Sequence, residues 1–512
     1  MSIAAFEASP SSVKHEVYKN SLLDIAASEY SEGEDLLGSA YRGLLLGIKD
    51  RNVNGLDIKE IPARITDAQG GHELWHSLLL AEGGLASPER MQKRSGIPEL
   101  MPIVPKIAFY AGVRGGSKRR RWFPANLLME VIGTGKGLLA GQVLVNRLRA
   151  ALEVDLNDDV TSRFINQAIP NPTPTIKPTQ LNLKLDHTKA YCKRSTTRTE
   201  CVPAERFCAD LVAIIDLKPR LTRRQWTVLL EAILRLGMTS HTLWICHANA
   251  RYWELVQSVA SGQPVPNQSE IESAIWGSLV GEKSFLEIGG DSKPLIYQAL
   301  ANYVYGRFGL NILLHRLDDI SQPWLATRVL GNDTGEGDDS PQVLRDFLQH
   351  VATHRVSIDA TDAAQWLRTK CMNICDHRLP LMKCKASFTR NMWFFLRHGL
   401  GQIETSDPEQ KAYDQSFLVV KRGKTRWTKW LVEPGPAMLI ALVHACCHAQ
   451  EGLPTSLEDF RLHLAGYGLH APAGELLGGN VGTALERLGL VVDSPDAAGG
   501  RLLVAPFSNG PF

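Results

Sequence analysis

The chain has 512 residues, of which 44% are hydrophobic and 21% are charged, and its formal net charge at pH 7 is +2. This length is too great for one compact core, so we expect two to four domains of ordinary globular composition. No apolar run approaches the roughly 20 residues of a membrane helix, and the first residues lack the order of a signal peptide. We therefore expect a cytoplasmic protein without membrane contacts.

The cysteines are odd in number and irregularly spaced, which is unlike a disulfide framework. In a reducing compartment this pattern indicates core thiols or metal ligands. The nine positions are Cys192, Cys201, Cys208, Cys246, Cys371, Cys375, Cys384, Cys446 and Cys447.

Residues 1–95 are predicted to form an N-terminal helical region, because apolar residues recur there at helical spacing. Within it, His72-Glu73-Leu74-Trp75-His76 matches the HExxH pattern of zinc hydrolases. In that pattern two histidines one turn apart bind the metal and the glutamate polarises its water. Gly70 and Gly71 would place the motif at a helix start, and no third ligand is evident. A structural helix start is therefore the favoured interpretation, with a zinc hydrolase as the alternative.

Residues 96–169 are predicted to be a basic segment containing Pro and Gly, followed by helices. A helix is expected at Leu127–Leu152, interrupted by Gly133–Gly137. The sequence Gly-Thr-Gly-Lys-Gly resembles a phosphate-binding loop. However, Glu130 and Gly137 stand where such a loop needs Gly and then Ser or Thr, so we do not expect ATP binding.

Residues 170–180 are predicted to be an extended linker, because the proline spacing in Pro170–Pro178 excludes a helix. Residues 181–410 are then expected to form a central helical domain. The helices predicted in it, with Thr222 as an N-cap, are Glu205–Leu217, Thr222–Leu236, Glu270–Val280, Pro294–Leu317, Val343–His354 and Asp359–Asp376.

Asp216 and Lys218 raise the alternative of a metal-dependent nuclease. If Leu211–Ile215 form a strand, the strand end presents a carboxylate for Mg²⁺ and a lysine for the scissile phosphate. The upstream acid would be Asp186 or Asp210. The same residues fit helical spacing equally well, so both interpretations stay open.

Two groups of cysteines and histidines have the composition of a structural zinc site. The first is His187, Cys192, Cys201 and Cys208. The second, which is the predicted metal site, is Cys371, Cys375, His377 and Cys384. Neither contains the close Cys-x-x-Cys pairs of a typical zinc site, so buried or incidental thiols are the alternative.

Residues 411–512 are expected to form a β-hairpin followed by a small helical domain. The hairpin is predicted at residues 416–432, with a glycine-containing turn. Three helices follow, at Ala437–Gln450, from Ser456 and at Ala473–Leu488, and then a second hairpin closes the domain. This order resembles that of a winged helix-turn-helix. The fold class is therefore mainly α, or α+β: a multi-domain helical protein with short hairpins and a C-terminal winged-helix-like domain.

Three basic segments each lie close to tryptophan, a combination found on nucleic-acid surfaces because cations contact phosphates and aromatic rings stack on bases. Local neutralisation by acids is the alternative for each segment. The predicted contact residues are Arg114, Lys118, Arg119, Arg120, Arg121, Arg223, Arg224, Lys421, Arg422, Lys424, Arg426 and Lys429.

We therefore predict a non-enzymatic protein that associates with DNA or another nucleic acid. It would act as a subunit or adaptor of a larger bacterial assembly with other proteins, without a cofactor other than a structural zinc. A role in defence against phage or mobile elements is a general expectation for such proteins and rests on no residue. The alternatives are a metal-dependent hydrolase, and a protein-interaction scaffold that meets an acidic partner.

Overall fold

The computed structural model describes a little over half of the chain in separate ranges. These are residues 33–45, 52–53, 56–57, 102–107, 124–168, 203–277, 284–303, 306, 310, 340–353, 388–401, 414–421, 428–450, 453–494 and 501–507. The described residues are mostly helical with a few short strands, which confirms the predicted mainly-α class.

The helices follow the chain in this order: α1 (Gly33–Ala40), α2 (Pro124–Leu152), α3 (Val160–Ala168), α4 (Pro203–Leu217), α5 (Arg223–Ala260), α6 (Gln268–Trp276), α7 (292–303), α8 (Ser340–Thr353), α9 (Phe388–Leu400), α10 (Pro436–Ala449), α11 (Leu457–Ala465), α12 (Ala473–Leu477) and α13 (Asn480–Arg487). A π-helical turn, Tyr41–Leu45, follows α1, and a 3₁₀ turn, Lys218–Arg220, joins α4 to α5. The predicted helix Asp359–Asp376 and the predicted linker lie outside the described residues.

The strands are short and pair mostly as hairpins. They are β1 (Asn52–Val53), β2 (Leu56–Asp57), β3 (Leu286–Glu287), β4 (Val419–Lys421), β5 (Trp430–Val432), β6 (Leu469–His470), β7 (Val491–Asp493) and β8 (Arg501–Leu503). The pairs β1–β2, β4–β5 and β7–β8 are antiparallel, whereas β3 and β6 pair in parallel across a long sequence separation. The hairpin predicted at 416–432 is thus confirmed by β4 and β5.

Helix α5 is the centre of the fold. Its 38 residues include buried side chains on every face, and α1, α2, α4, α6, α8, α9 and α10 all pack against it. It begins where the sequence predicts, since Thr222 forms a capping box with Gln225. The contact with α4 is close, because a Cβ added at Gly237 would overlap the ring of Phe207. Apolar side chains from Leu36 to Leu503 join one contiguous hydrophobic cluster around this helix.

Among the C-terminal elements, α11 packs against both α10 and β8. Helix α11 begins after Ser456, as predicted, and Ser456 forms a capping box with Asp459. Just before it, the backbone N–H of Leu503 donates to the carbonyl of Thr455 at 2.7 Å, and Ser456 forms an antiparallel bridge with Leu502. The residues before α11 therefore add a third, very short strand beside β8.

The predicted helix Ala473–Leu488 is two helices, α12 and α13. They are separated by Gly478 and Gly479, and a Cβ at Gly479 would overlap the side chain of Glu475. The sequence-based prediction of one continuous helix was wrong at this point, because two adjacent glycines break the helix more readily than its apolar spacing extends it.

No helix among the described residues is both long and apolar enough to cross a bilayer. Helix α2, the longest apolar candidate after α5, is kinked at Gly137, which has a positive φ of 75°. The Gly133–Gly137 sequence therefore lies within a helix and does not form a loop that would wrap around a phosphate.

Candidate nucleic-acid interface

The β4–β5 hairpin presents two of the predicted cations. Lys421 ends β4, directly opposite Trp430 in β5, and its Nζ lies 6.0 Å from the centroid of the Trp430 ring. Lys429 immediately precedes β5 and is exposed. Three further predicted contact residues, Arg422, Lys424 and Arg426, lie outside the described residues.

A third cation comes from α9 and was not predicted from the sequence. The Cζ atom of Arg397 lies 5.1 Å from the centroid of the Trp430 ring, within the range of a cation–π contact. The ring itself is only 9% exposed. The Trp430 ring therefore packs beneath the side chains of Arg397 and Lys421, and it is too buried to stack on a base. Arg397, Lys421 and Lys429 are hereafter called the cation surface.

Two more aromatic side chains border the cation surface. Tyr297 of α7 and Trp393 of α9 are stacked, with ring centroids 4.3 Å apart and an angle of 13° between the planes. Both are partly exposed. Trp393 and Trp430 line one cavity of about 10 Å³, which is the space of a single water and too small for a ligand.

Backbone hydrogen bonds fix Trp430 in position. Asp291 accepts from the backbone N–H of Trp430 at 3.0 Å, and the hydroxyl of Ser292 donates to the Trp430 carbonyl at 2.9 Å. Asp291 also accepts from the backbone N–H of Lys293. One oxygen of the Asp291 carboxylate, Oδ1, therefore accepts both hydrogen bonds, and one of the two donors is the hairpin backbone.

A buried arginine holds α9 against the hairpin. Nε of Arg235, in α5, donates to the carbonyl of Gly399 at 2.7 Å, and Nη2 donates to that of Gly401 at 2.6 Å. Its Nη1 donates to Glu231 at 3.2 Å and to Asp414 at 3.0 Å. Arg235 therefore bonds both the end of α9, which carries Arg397, and Asp414 in the segment that leads into β4.

Arg223, another predicted contact residue, is not at the surface. Its side chain is fully buried, and its Nε and Nη atoms donate to the carbonyls of Ile103, Glu153 and Leu152 and to Asp158. This burial corrects the prediction that Arg223 contacts a phosphate, because its donor groups already face protein acceptors.

Arg224, the next residue, is partly exposed. Its guanidinium forms no ion pair or hydrogen bond with another residue that the structure describes. The remaining predicted contacts, Arg114 and Lys118–Arg121, lie outside the described residues, so their role stays a prediction.

The candidate nuclease residues lie at a helix end and are ion-paired. Leu211–Ile215 belong to α4, so the strand that the nuclease interpretation requires is not formed. Asp216 pairs with Arg147 at 2.5 Å, and Lys218 pairs with Asp155 at 2.9 Å. The helical interpretation of this segment is the correct one.

Asp210 is one of the two upstream acids considered for that chemistry, and Asp186 lies outside the described residues. Asp210 belongs to a buried polar cluster that the sequence did not reveal. Its carboxylate lies 2.9 Å from Nε2 of His463 and accepts from the Tyr467 hydroxyl at 2.8 Å. Nη1 of Arg206 lies 3.5 Å from Nδ1 of the same histidine. Asp210, His463 and Tyr467 are each at most 3% exposed, so the cluster joins α4 to α11 without access for a substrate.

The predicted metal sites fall almost entirely outside the described residues. Cys371, Cys375, His377 and Cys384 lie outside the described residues, as do His72, Glu73 and His76 and three members of the His187 group. Among the residues that the structure describes, no three His, Cys, Asp or Glu side chains are grouped as a metal site requires. Cys208, Cys246, Cys446 and Cys447 are buried thiols, and burial raises the pKa of Cys246 and Cys446.

The C-terminal elements carry little positive charge. Residues 453–494 and 501–507 contain five acidic and three basic side chains. Two of the three arginines are neutralised locally, since Arg461 pairs with Glu458 and Arg501 pairs with Glu486 and Asp493. A phosphate-binding role therefore fits the cation surface better than it fits α13.

Comparison with known proteins gives no family for this chain. No protein-family model matches it, and no curated protein matches it at a significant level.

Proposed function

We propose that this chain is a non-enzymatic nucleic-acid-associated protein that binds the phosphate backbone through the cation surface. One observation carries the proposal: Arg397 of α9 and Lys421 of β4 lie within 6.0 Å of the same buried ring, with Lys429 exposed beside it. Contacts with aromatic faces hold long side chains in place, which lowers the entropy lost when they bind a phosphate.

The aromatic border favours the same class of ligand. Phosphate contacts supply sequence-independent affinity, and partly exposed rings such as Tyr297 and Trp393 suit contact with sugars or bases. DNA is the ligand that we place first.

We further propose that residues 436–507 form a winged-helix-like unit. Its support is the order of elements: α10, the short strand at Thr455–Ser456, α11, α12 with α13, and the β7–β8 hairpin. Because α13 offers little positive charge, this unit is better suited to contact another protein than DNA. A scaffold without nucleic acid is therefore the second candidate function, and it rests on the charge of this unit.

The dependence of DNA binding on salt concentration distinguishes the nucleic-acid-binding function from the scaffold function. Purified, nuclease-treated protein is titrated into a labelled duplex and into a labelled single strand, from low to high salt, with anisotropy as the readout. We expect binding at low salt that weakens steeply as salt increases. The double variant Lys421→Glu/Lys429→Glu should lose most of this affinity.

Arg251→Glu is the control for a charge reversal outside the cation surface, and it reverses one cation where the test variant reverses two. Arg251 is exposed on α5 and pairs locally, with Glu254 at 2.9 Å, so its reversal changes the charge in the same direction without altering the cation surface. No binding at low salt, or equal loss in both variants, contradicts the proposed interface and favours the scaffold.

A further inference from the structure

The stacked rings of Tyr297 and Trp393, hereafter called the ring pair, lie at one end of the cation surface. Ser292, the first residue of α7, and Arg397, in the last turn of α9, both contact Trp430. On each helix the aromatic residue lies about one turn from that contact, Tyr297 after Ser292 and Trp393 before Arg397. The two helices therefore place the ring pair directly beside Trp430 and its cations.

The outer member of the ring pair is Tyr297. Trp393 lines the small cavity that it shares with Trp430, Ile296 and Leu396, so one side of the indole faces the protein interior. Tyr297 does not line that cavity, and its ring stacks on Trp393. Both rings are partly exposed. The stack therefore ends at the Tyr297 ring, on which a further planar group can pack.

The spacing on α9 brings a phosphate contact and a stacking contact together. Trp393 and Arg397 are four positions apart, so they share one helix face and are separated by about 6 Å along the axis. A nucleic acid whose phosphate contacts Arg397 therefore has a neighbouring base within reach of the ring pair. Proteins that hold single strands use this combination of cations for the backbone and aromatic rings for the bases.

We propose that, given the phosphate-binding function proposed above, the ligand is single-stranded DNA, one base of which stacks on the Tyr297 ring. In a duplex both faces of each base are covered by its neighbours, and a base must be unstacked before a side chain can pack against it. A single strand offers a free base face without that cost. The ring pair thus selects the unpaired strand, whereas the cation surface binds its phosphates.

Abasic nucleotides separate stacking from phosphate contacts. Full-length wild-type protein is titrated with an oligothymidylate of about 12 nucleotides, with the same strand carrying abasic sites in its central half, and with a duplex of equal length. We expect the dissociation constant of the abasic strand to be higher by about fivefold or more, because it keeps every phosphate but lacks the bases that stack. The duplex should also bind more weakly than the intact strand.

Tyr297→Leu tests the ring itself. This variant should bind the intact strand more weakly by about fivefold or more and should no longer distinguish it from the abasic strand. Tyr297→Phe keeps the ring and should bind almost as tightly as the wild type. Phe164→Leu, at an aromatic residue that is 63% exposed on α3, is the matched control and should change neither affinity. Thermal melts verify that each variant is folded.

Photo-cross-linking locates the base. A strand with 5-iodouracil in place of one thymine, irradiated in the complex, should become attached to Tyr297, as identified by mass spectrometry. Equal affinity for the intact and abasic strands, tighter binding of the duplex, or attachment only outside the ring pair would overturn the stacking site and leave the phosphate-binding function standing. No binding of any of the three oligonucleotides would contradict the phosphate-binding function as well.

Discussion

Nη1 of Arg223 and Oδ2 of Asp158 form an ion pair of 2.9 Å in which both side chains are almost completely buried. The pair joins the start of α5 to the turn between α2 and α3. Lys218 approaches the same Asp158 oxygen at 3.4 Å, so a single carboxylate serves two cations. Removal of Arg223 leaves the buried Asp158 carboxylate with Lys218 as its one cation, and removal of Asp158 leaves the buried guanidinium of Arg223 without its acid.

Arg223→Ala should therefore lower the free energy of unfolding by about 3–5 kcal/mol. Arg224→Ala is the natural control, because it removes the same atoms from a partly exposed neighbour and should change stability by less than about 0.5 kcal/mol. Denaturant titration of both variants measures the difference. Similar unfolding midpoints for Arg223→Ala and Arg224→Ala would show that the buried network of Arg223 contributes little to the free energy of unfolding.

The carboxyl groups of the turn between α2 and α3 lead us to expect that the fold loses stability in acid. A hydrogen bond from Lys218 lowers the pKa of Asp155. Burial raises the pKa of Asp159, but hydrogen bonds from the backbone N–H groups of Arg223 and Ser162 outweigh it and leave the pKa lowered. Carboxyl groups with a lowered pKa stabilise the fold above their ordinary pKa, and this stability is lost as pH falls through the folded-state pKa.

We therefore expect the melting temperature to decrease below about pH 4. The decrease should be smaller in Asp155→Asn and Asp159→Asn, whose stability is already reduced at neutral pH. Glu254→Gln, at an exposed site on α5, should keep the wild-type pH profile. Thermal melts between neutral pH and about pH 3 provide the measurement, and identical profiles for all variants would contradict the role of the turn.

Trp430 should affect nucleic-acid binding without contacting the ligand. Trp430→Leu removes the ring that lies beneath Arg397 and Lys421, so we expect weaker binding although every cation is retained. Trp430→Phe keeps an aromatic face and should recover part of the affinity. A thermal melt of each variant separates this effect from unfolding, and equal affinity of the Trp430→Leu and Trp430→Phe variants would argue against cation–π support.

Lys429 should act differently, through direct phosphate contact. Lys429→Ala should reduce the slope of log K against log salt concentration by about one ionic contact, whereas Trp430→Leu should change the affinity more than the slope. Titrations over a series of salt concentrations give both quantities. An unchanged slope for Lys429→Ala would exclude this residue from the interface.

Gly237 is expected to tolerate no side chain. Gly237→Ala places a Cβ against the ring of Phe207, and the crowding of α4 against α5 should cost about 1–3 kcal/mol. Gly474→Ala on α12 meets no atom within 4 Å and should be neutral or stabilise by about 0.5 kcal/mol. In a denaturant titration we expect Gly237→Ala to destabilise the protein and Gly474→Ala to cause no loss of stability, and a neutral Gly237→Ala would mean that the two helices separate easily.

The starts of several helices and their caps were predictable because their signals are local, whereas the predicted end of α5 at Leu236 was wrong, since the helix continues to Ala260. Thr222 and Ser456 indicate helix starts through the residue three positions later, and the apolar spacing of α4, α5 and α10 identifies each as a packed helix. The interface was less predictable. Arg223 and Arg224 are chemically identical neighbours, and Asp158, far upstream, is what makes one of them part of the core.

Contacts between distant segments explain the other differences. Arg397 was missed because nothing near it in the sequence indicates that Trp430, from another element, lies beside it. Asp210 resembled a catalytic acid until its pairing with His463 placed it in a closed cluster. A sequence pattern defines the element to which a residue belongs, whereas its partner and its exposure depend on tertiary packing.

The length of α5, about 57 Å at the usual helical rise, also has a consequence for synthesis of the chain. One side of its contact with α4 is covered by α10, which lies more than 170 residues further along the chain. During translation that apolar side faces water until residue 449 has left the ribosome. The nascent chain therefore exposes this apolar surface for many seconds, and a chaperone would bind it during that interval.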